Sequence, residues 1–275
     1  MSLAASFERL DRRWIYAITG LLVLLPLLWP LNLPLEPSPP VRAYHEAIAA
    51  LAPGSTVLMS CDFDPASRPE LEPMTRTTLR QLFRKHCKVV VVVLYPGGAR
   101  LVDGIVQDVA RECRQVDGVD YVNLGYKAGD EAVMVLMGQS IPGTFPRDQN
   151  GRDVTRLLIM RSVRNYSSCA LLVSLSAGYP GTKEYVRQVQ GRFHIPIIAG
   201  VTAVSAPTLY PYLQTGQLRG MLGGMAGAAE YEDLRFERGM ASRGMDAQSL
   251  AHVFIALCIV LGNLAQWERK RTEAA

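Results

Sequence analysis

The feature that most constrains this chain is Trp14–Leu33, a run of 20 residues without a charged side chain. At about 1.5 Å per residue, a helix of this length crosses roughly 30 Å of hydrocarbon. Trp14, Tyr16 and Trp29 lie near its ends, where amphipathic rings favour the membrane interface. No small-x-small cleavage site follows, so the run predicts a retained transmembrane helix rather than a cleaved signal peptide.

A second apolar segment, Leu250–Trp267, lies near the other end of the chain. It contains His252 and Asn263, and its alternative interpretation is a buried terminal helix. Lysine and arginine next to a membrane span favour the cytoplasmic side, and such residues flank both segments. They are Arg9, Arg12, Arg13, Arg269, Lys270 and Arg271. We therefore expect two spans in the bacterial inner (cytoplasmic) membrane, with both termini in the cytoplasm and the main domain outside it.

The sequence between the two apolar segments predicts an α/β domain. Lys88–Tyr95 holds five consecutive valines, and a strand that is apolar on both faces is typical of a parallel sheet covered by helices. Apolar strands and amphipathic helices alternate through the domain, which indicates a mostly parallel, doubly wound, Rossmann-like sheet of about five or six strands. The other predicted strands are Ser55–Cys61, Val119–Leu124, Ser168–Leu175, Ile195–Val201 and Gln217–Leu222.

Helical periodicity and turn residues place the remaining elements. The predicted helices are Val41–Leu51, Pro69–His86, Gly98–Val116, Asp130–Gly138, Val154–Val163, Thr182–Phe193, Pro207–Thr215 and Ala226–Phe236. The predicted organisation is a cytoplasmic leader (1–13), a transmembrane helix (14–33), a proline-rich stalk (34–40), an extracytoplasmic domain (41–245), a second transmembrane helix (246–267) and a cytoplasmic tail (268–275).

Charge and cysteine content exclude several functions. The net charge of +4 is small, and no basic tract is interleaved with aromatic residues, so nucleic-acid binding is not expected. The five cysteines form no CxxC pair and no Cys/His spacing suited to zinc. We expect no metal and no cofactor.

Two aspartates follow the first predicted strand. In open α/β sheets, ligands bind beyond the carboxyl ends of the strands. Asp62-Phe63-Asp64 at such a position resembles the haloacid-dehalogenase phosphohydrolases, which implies a nucleophile, an acid/base and a bound magnesium ion. In this chain Pro65-Ala66-Ser67 replaces the Gly-Thr of that family. The alternative is that Asp62 and Asp64 shape a turn and cap the next helix.

Glycines and small polar residues follow the other predicted strands as well. Glycine lets backbone amides approach a ligand, and a helix N-terminus favours an anion, although glycine is also common in ordinary turns. These segments predict a rim that binds a small anionic ligand. Its residues are Ser60, Asp62, Gly97, Gly98, Tyr126, Lys127, Ser176, Gly178, Thr202, Ser205, Gly223 and Gly224.

A second catalytic hypothesis uses Ser176 as a nucleophile and Lys127 as its base, an arrangement that resembles membrane-anchored signal-peptide peptidases. The chain lacks a GxSxG motif, and nothing in the spacing of Lys127 and Ser176 along the sequence requires them to form a catalytic pair. We therefore expect a non-catalytic protein, with a phosphohydrolase-like or Ser/Lys hydrolase as the alternative.

Polar residues also mark the second membrane segment. Intramembrane polar side chains face protein or water rather than lipid. We therefore expect Asp246, Gln248, Ser249, His252 and Asn263 to contact other membrane subunits.

Four stretches of the chain carry a wider resemblance. They are residues 62–65, 119–127, 200–218 and 244–249. In them the chain resembles a group of bacterial membrane-anchored α/β proteins, which implies a location and a fold but no activity. The expected function is that of a non-catalytic subunit in a larger membrane assembly, whose outer domain binds a partner protein or a small ligand.

Overall fold

The central element of the fold is one parallel sheet of six strands. The computed structural model describes residues 11–31 and 33–273. The strand order is β3-β2-β1-β4-β5-β6, and every strand pair is parallel. The strands are β1 Thr56–Asp62, β2 Lys88–Val93, β3 Tyr121–Tyr126, β4 Leu171–Ser176, β5 Ile197–Val201 and β6 Gly220–Gly223. The predicted parallel α/β sheet is confirmed.

Helices cover both faces of this sheet. On one face the helices α2 (Pro39–Ala49), α3 (Arg68–Arg84) and α4 (Ala99–Glu112) pack with α10 (Gly224–Leu234). The opposite face carries α5 (Asp130–Gln139), α6 (Ile141–Thr144) and the segment after β4. That segment comprises α7 (Thr182–Tyr185), a π-helical turn (Val186–Gln190) and α8 (Gly191–Phe193). The remaining short helix, α9, spans Tyr210–Gln214.

The valines of β2 explain why the sheet must be covered on both faces. Val89 to Val93 are all fully buried, and the side chains of successive residues point to opposite faces of a strand. Val90 and Val92 belong to the apolar core that also contains Tyr166 and Tyr185. A strand with this composition is stable only between two helical layers.

One predicted helix is wrong. Residues 154–163 do not form an α-helix but two 3₁₀ turns, Val154–Arg156 and Ile159–Ser162. Asp153 is the N-cap residue of the first turn, and its side chain accepts the backbone N–H of Thr155. The apolar residues of this segment reach the core from turns, so their spacing along the sequence does not reflect a helix.

The N-terminal apolar helix is shorter than predicted. Helix α1 spans Arg12–Leu28, so the expectation of a helix through Leu33 is wrong at its C-terminal end. Trp29 has an extended backbone because it precedes Pro30, and a residue before proline is disfavoured in the helical region. Asn32, residues 1–10 of the predicted leader and residues 274–275 of the predicted tail lie outside the described residues.

Helix α11 (Met240–Glu273) carries the second apolar segment. Within the described parts of the chain, it is the one helix long and apolar enough to cross a membrane, over Met240–Arg271. Only 6% of its most apolar stretch is buried. Among the described residues, Leu35–Ala241 form one compact unit, and residues 11–31, 33–34 and 242–273 belong to another.

Candidate functional site

The candidate site lies at the carboxyl ends of β1 and β4, which are neighbours in the sheet. Asp62, the last residue of β1, is in register with Ser176, the last residue of β4. The strand order reverses direction between these two strands, and this switch point is the usual ligand crevice of open α/β sheets. A cleft of about 220 Å³ opens here. It is lined by Asp62, Phe63, Asp64, Tyr95, Ala177, Gly178 and Tyr179.

Asp62 is buried at the inner end of this cleft. Its Oδ1 accepts the backbone N–H of Leu94 at 2.6 Å, and its Oδ2 accepts the hydroxyl of Ser60 at 2.6 Å. Tyr185 in turn donates its hydroxyl to Ser60 Oγ at 2.8 Å. Burial raises the pKa of Asp62 to about 7, the two hydrogen bonds oppose this rise, and the nearby carboxylate of Asp130 adds to it. Asp62 can therefore gain or lose a proton near neutral pH.

Asp64 has a different role, although it is only two residues away. Its Oδ1 accepts both the backbone N–H and the hydroxyl of Ser67, each at 3.0 Å. This is the arrangement of an aspartate that closes the turn before a helix, here α3, whose N-cap residue Ser67 makes no capping hydrogen bond of its own. The structure therefore places Asp64 on the cleft wall with one oxygen already engaged by the turn.

A second cleft of about 300 Å³ adjoins the first between the ends of β4 and β5. The two clefts share Gly178 and Tyr179. Hydroxyl groups, one lysine and an apolar wall line the second cleft. The lining residues are Ser176, Gly178, Tyr179, Thr182, Lys183, Glu184, Val201, Val204, Ser205, Thr208 and Leu209.

The hydroxyl groups of this second cleft bind one another. Thr182 donates its hydroxyl to Ser174 Oγ at 2.9 Å, and its backbone N–H lies 3.3 Å from Ser176 Oγ. Thr202 donates to Ser205 Oγ, which donates to the carbonyl of Ala177. This network orders the cleft wall, and it holds the loop after β5 against the loop after β4.

The structure does not bring Ser176 and Lys127 together. Lys127 follows β3, and β2 and β1 lie between β3 and β4. Three spacings of about 4.8 Å separate the two backbones by about 14 Å. Ser176 Oγ instead lies 3.3 Å from Thr182 Oγ1. A proton transfer between Ser176 and Lys127 needs hydrogen-bond reach, which this placement does not supply.

The other rim residues fall outside the two adjoining clefts. Tyr126 and Lys127 line a separate cleft of about 260 Å³ beside the edge strand β3. Gly98 is a packing residue, because a Cβ atom there would lie 2.3 Å from the carbonyl oxygen of Phe63. Gly97 stands next to it in the turn Pro96–Gly98. Gly223 and Gly224 join β6 to α10 at the far edge of the sheet.

The charges around the clefts differ from one end to the other. The carboxylates of Asp130, Glu131 and Glu184 act on Tyr179; burial and these negative charges raise the pKa of its hydroxyl. The residues that line the Asp62 cleft include no lysine or arginine. Lys183 lines the adjoining cleft and is exposed. The Asp62 end therefore favours a hydrogen-bond donor or a cation, whereas the other end presents both the Lys183 ammonium and the Glu184 carboxylate.

Sequence reasoning missed several side chains of the site. Tyr185, Thr182 and Lys183 come from helix α7, one turn beyond the strand end where the candidate residues were sought. Tyr179 lines both clefts but is not among the predicted rim residues. The signal for Thr182 and Glu184 was the capping pattern Gly181-Thr182-Lys183-Glu184, in which the carboxylate of Glu184 accepts the N–H of Gly181 at 2.9 Å.

The polar residues of α11 are placed differently from one another. Asp246 is buried and its Oδ2 accepts the backbone N–H of Leu31 at 3.0 Å. Gln248, His252 and Asn263 are exposed, and Ser249 is half-buried. Among the described residues, no group of three or more histidine, cysteine or acidic side chains is arranged to hold a metal ion.

Comparison with known proteins identifies no family for this chain. No family model matches the sequence, and no curated protein matches it either. A trehalose-6-phosphate synthase structure aligns with 91% of this chain at 9% identity and a TM-score of 0.30. The chain spans about half (49%) of the length of that synthase. This is a likeness too distant for an argument about activity.

Proposed function

We propose that the protein is a non-catalytic, membrane-anchored subunit of a larger bacterial membrane assembly, and that its α/β domain binds a small ligand or a partner protein. Helices α1 and α11 serve as the anchors in the inner membrane, with both termini in the cytoplasm and the domain outside. The exposed apolar side chains of both helices support this assignment. They include Leu21, Leu24 and Leu28 on α1, and Val253, Leu257 and Ile259 on α11.

The observation that carries the binding role is the pair of adjoining clefts at the switch point. Together they offer a buried carboxyl at one end, hydroxyls and Lys183 at the other, and an apolar wall that includes Val201 and Leu209. This composition fits a small polar ligand held at both ends. We propose that an anionic group of the ligand lies beside Lys183 and that a donor group faces Asp62.

The non-catalytic role rests on how the candidate nucleophiles and bases are used. Ser176 contacts Thr182 rather than a base, and Asp64 caps a turn. Two groups that must exchange a proton need to lie within hydrogen-bond distance. Ser176 and Lys127, the predicted nucleophile and base, have no such contact among the described residues.

One observation favours the hydrolase as a second candidate. Asp62 borders a cleft and has a pKa raised to about 7 by burial, which suits a general acid or base at neutral pH. In that function Asp62 would exchange a proton with a substrate or a water molecule bound in the cleft.

The binding role is tested on the full chain in detergent by following thermal stability with panels of amino acids, dicarboxylates and phosphate esters. A true ligand raises the melting temperature steadily with its concentration, by an amount that grows with the logarithm of the concentration above the dissociation constant. Lys183→Gln should weaken that effect for an anionic ligand, and Lys127→Gln, in the separate cleft by β3, should leave it unchanged. If both substitutions reduced the stabilisation by the ligand equally, the ligand would not be bound in the two clefts at the switch point.

The two candidate functions are separated by Asp62→Asn. The amide keeps the size of the carboxyl but cannot act as an acid or base. If the protein binds without catalysis, this variant changes the affinity for the ligand and no turnover is found in either form. Turnover of a phosphate ester or other hydrolysable member of the panel by the unmodified chain, lost in Asp62→Asn, would favour the hydrolase. Membrane assignment is tested separately by fractionation, and recovery of the chain in the soluble fraction would contradict it.

A further inference from the structure

The exposed side of α11 carries a stripe of polar residues. At about 100° per residue, Gln248, His252, Ile259, Asn263 and Gln266 fall within a sector of about 60° on the helix surface. All five are exposed in the structure. His252, Ile259 and Gln266 recur at intervals of seven residues, which is the repeat of a helix seam packed against another helix. We refer to these five residues, four polar ones and Ile259 between them, as the polar stripe.

Another side of α11 is already covered within the chain. Its residues are buried or half-buried and recur at alternating intervals of four and three. They are Ala247, Ala251, Phe254, Cys258, Leu261 and Ala265. The centre of this covered side lies about 130° around the helix from the polar stripe. The contacts that α11 makes with the described residues of the chain therefore leave the polar stripe free.

A free polar stripe is unfavourable for a helix in lipid. Amide and imidazole groups have no hydrogen-bonding partners among acyl chains, so such side chains face protein or water. Asn263 satisfies one donor internally, through the carbonyl of Ile259 at 3.0 Å. Its second N–H and its Oδ1, together with the groups of Gln248, His252 and Gln266, remain available for a partner helix.

We propose that the polar stripe binds the same stripe of a second copy of this chain, in a parallel two-fold pair of α11 helices. This inference rests on the proposed membrane location and names one partner within the assembly. Two copies share one topology, so their α11 helices are parallel and equivalent residues meet at the same depth.

The chemistry of the stripe suits contact with itself. It contains no charged residue, so identical side chains meet without repulsion. Asn, Gln and neutral His each carry a donor and an acceptor, so each can bond to its own counterpart. Interhelical hydrogen bonds of this kind stabilise membrane helix pairs, and a single asparagine in a seam sets the register of a helix pair.

Cysteine cross-linking of the full chain in native membranes tests this interface. Ile259→Cys lies in the stripe, and Leu257→Cys lies about 150° away around the helix. Ile259 and Leu257 have similar exposure, 59% and 52%, so the second variant is a matched control. Both are made in a Cys258→Ser background. Oxidation should give a disulfide-linked species of about 60 kDa, twice the 30.2 kDa chain, for Ile259→Cys but not for Leu257→Cys.

The hydrogen bonds proposed between the two polar stripes are tested by adding further substitutions to the Ile259→Cys, Cys258→Ser variant. His252→Leu combined with Asn263→Leu should lower the cross-linked fraction on the order of tenfold, because interhelical hydrogen bonds are lost. Asn263→Gln, which keeps a donor and an acceptor, should retain most of it. Equal cross-linking of the two cysteine variants would overturn the inference, as would an unchanged cross-linked fraction in the double leucine variant.

Other outcomes separate this inference from the proposed function. An Ile259→Cys adduct with a protein of another mass would overturn the homodimer while supporting the membrane subunit. A chain that stays monomeric in the membrane under both oxidation and a lysine-reactive cross-linker would contradict both proposals.

Discussion

The most informative single substitution is Asp62→Asn, because this side chain is both buried and titratable. Asp62 is 2% exposed, and its two oxygens accept hydrogen bonds from Leu94 and Ser60. An asparagine of the same shape can still accept the N–H of Leu94 through Oδ1. Its Nδ2 cannot accept the hydroxyl of Ser60, which also receives the hydroxyl of Tyr185. The protonated carboxyl of Asp62 has the same limitation, because its own hydrogen occupies Oδ2, so asparagine imitates the neutral form of this side chain.

The magnitude follows from the pKa of Asp62, raised by burial from 3.8 to about 7 in the folded protein. Between these values the folded state binds more protons than the unfolded state, so the free energy of unfolding falls as the pH rises. The contribution of the neutral carboxyl is fully present below about pH 4 and is lost above about pH 7. A difference of about three pH units, at about 1.4 kcal/mol each, amounts to about 4 kcal/mol.

Asparagine does not titrate, so Asp62→Asn should remove this pH dependence. At pH 5 Asp62 is largely protonated, so the variant should differ from the unmodified chain by less than about 1 kcal/mol. At pH 9 the unmodified chain carries a buried charge, and the variant should be the more stable of the two. For a domain of this size, 1 kcal/mol corresponds to a change in melting temperature of about 2–4 °C.

The assay is thermal unfolding of the full chain in detergent, followed by circular dichroism at a series of pH values. The melting temperatures of the two proteins should be similar at pH 5, and that of the variant should be the higher of the two at pH 9. A constant difference between them across this range would refute the reasoning, because it would mean that Asp62 does not titrate there. Glu46→Gln, at an exposed position on α2, is the control for the loss of a carboxylate in general.

Two further substitutions test the geometry of the domain. Gly181→Ala should destabilise the domain by about 1–3 kcal/mol, because the new Cβ atom would lie 2.4 Å from the carbonyl oxygen of Gly178. In Gly178→Ala the new Cβ atom meets nothing within 4 Å, so this substitution should only narrow the two clefts. Melting temperatures report the first effect, and ligand affinities report the second. Glu72→Gln should destabilise the domain by about 1–3 kcal/mol at pH 7, because the charged hydrogen bonds to Arg68 and Arg76 are lost while Arg76 keeps its pairing with Asp108. A melting temperature no lower than that of Glu46→Gln would contradict this.

The same carboxylate gives acid sensitivity of the opposite sign to that of Asp62. Burial raises the pKa of Glu72, but the hydrogen bonds and charges of Arg68 and Arg76 outweigh burial and leave it below the ordinary value. The stabilisation from this cluster is therefore present at neutral pH and is lost as the pH falls through the lowered pKa. In Glu72→Gln the loss of stability at low pH should be smaller than in the unmodified chain.

The strands of the domain were predictable because each has a strong local signal. The valines of β2 and the apolar run of β1 indicate buried strands whatever surrounds them, and alternation with helices implies parallel pairing. The two 3₁₀ turns at residues 154–163 were not predictable in this way. Their apolar residues reach the core through tertiary contacts, and the spacing of those residues imitates a helix.

The candidate site was predictable in position more than in composition. Asp62, Ser176 and Gly178 lie at strand ends, where the topology of open sheets puts ligands. The partners Tyr185 and Ser60 are 125 residues apart and meet only because β1 and β4 are neighbours. The strand order also separates Lys127 from Ser176, and no spacing along the chain carries that information.

The raised pKa of Asp62 follows from the same topology. The first strand of this fold lies in the middle of the sheet, with β2 on one side and β4 on the other, so its last side chain is enclosed by neighbours. Asp62 loses most of its hydration there but still lines the cleft of about 220 Å³ at the ends of β1 and β4. A ligand that places a cation against it would lower its pKa and release a proton, whereas a ligand that places an acceptor there would favour the protonated form. Binding at this cleft should thus be linked to proton uptake or release near pH 7, and the direction of that exchange in buffered calorimetry reports which kind of group the ligand presents to Asp62.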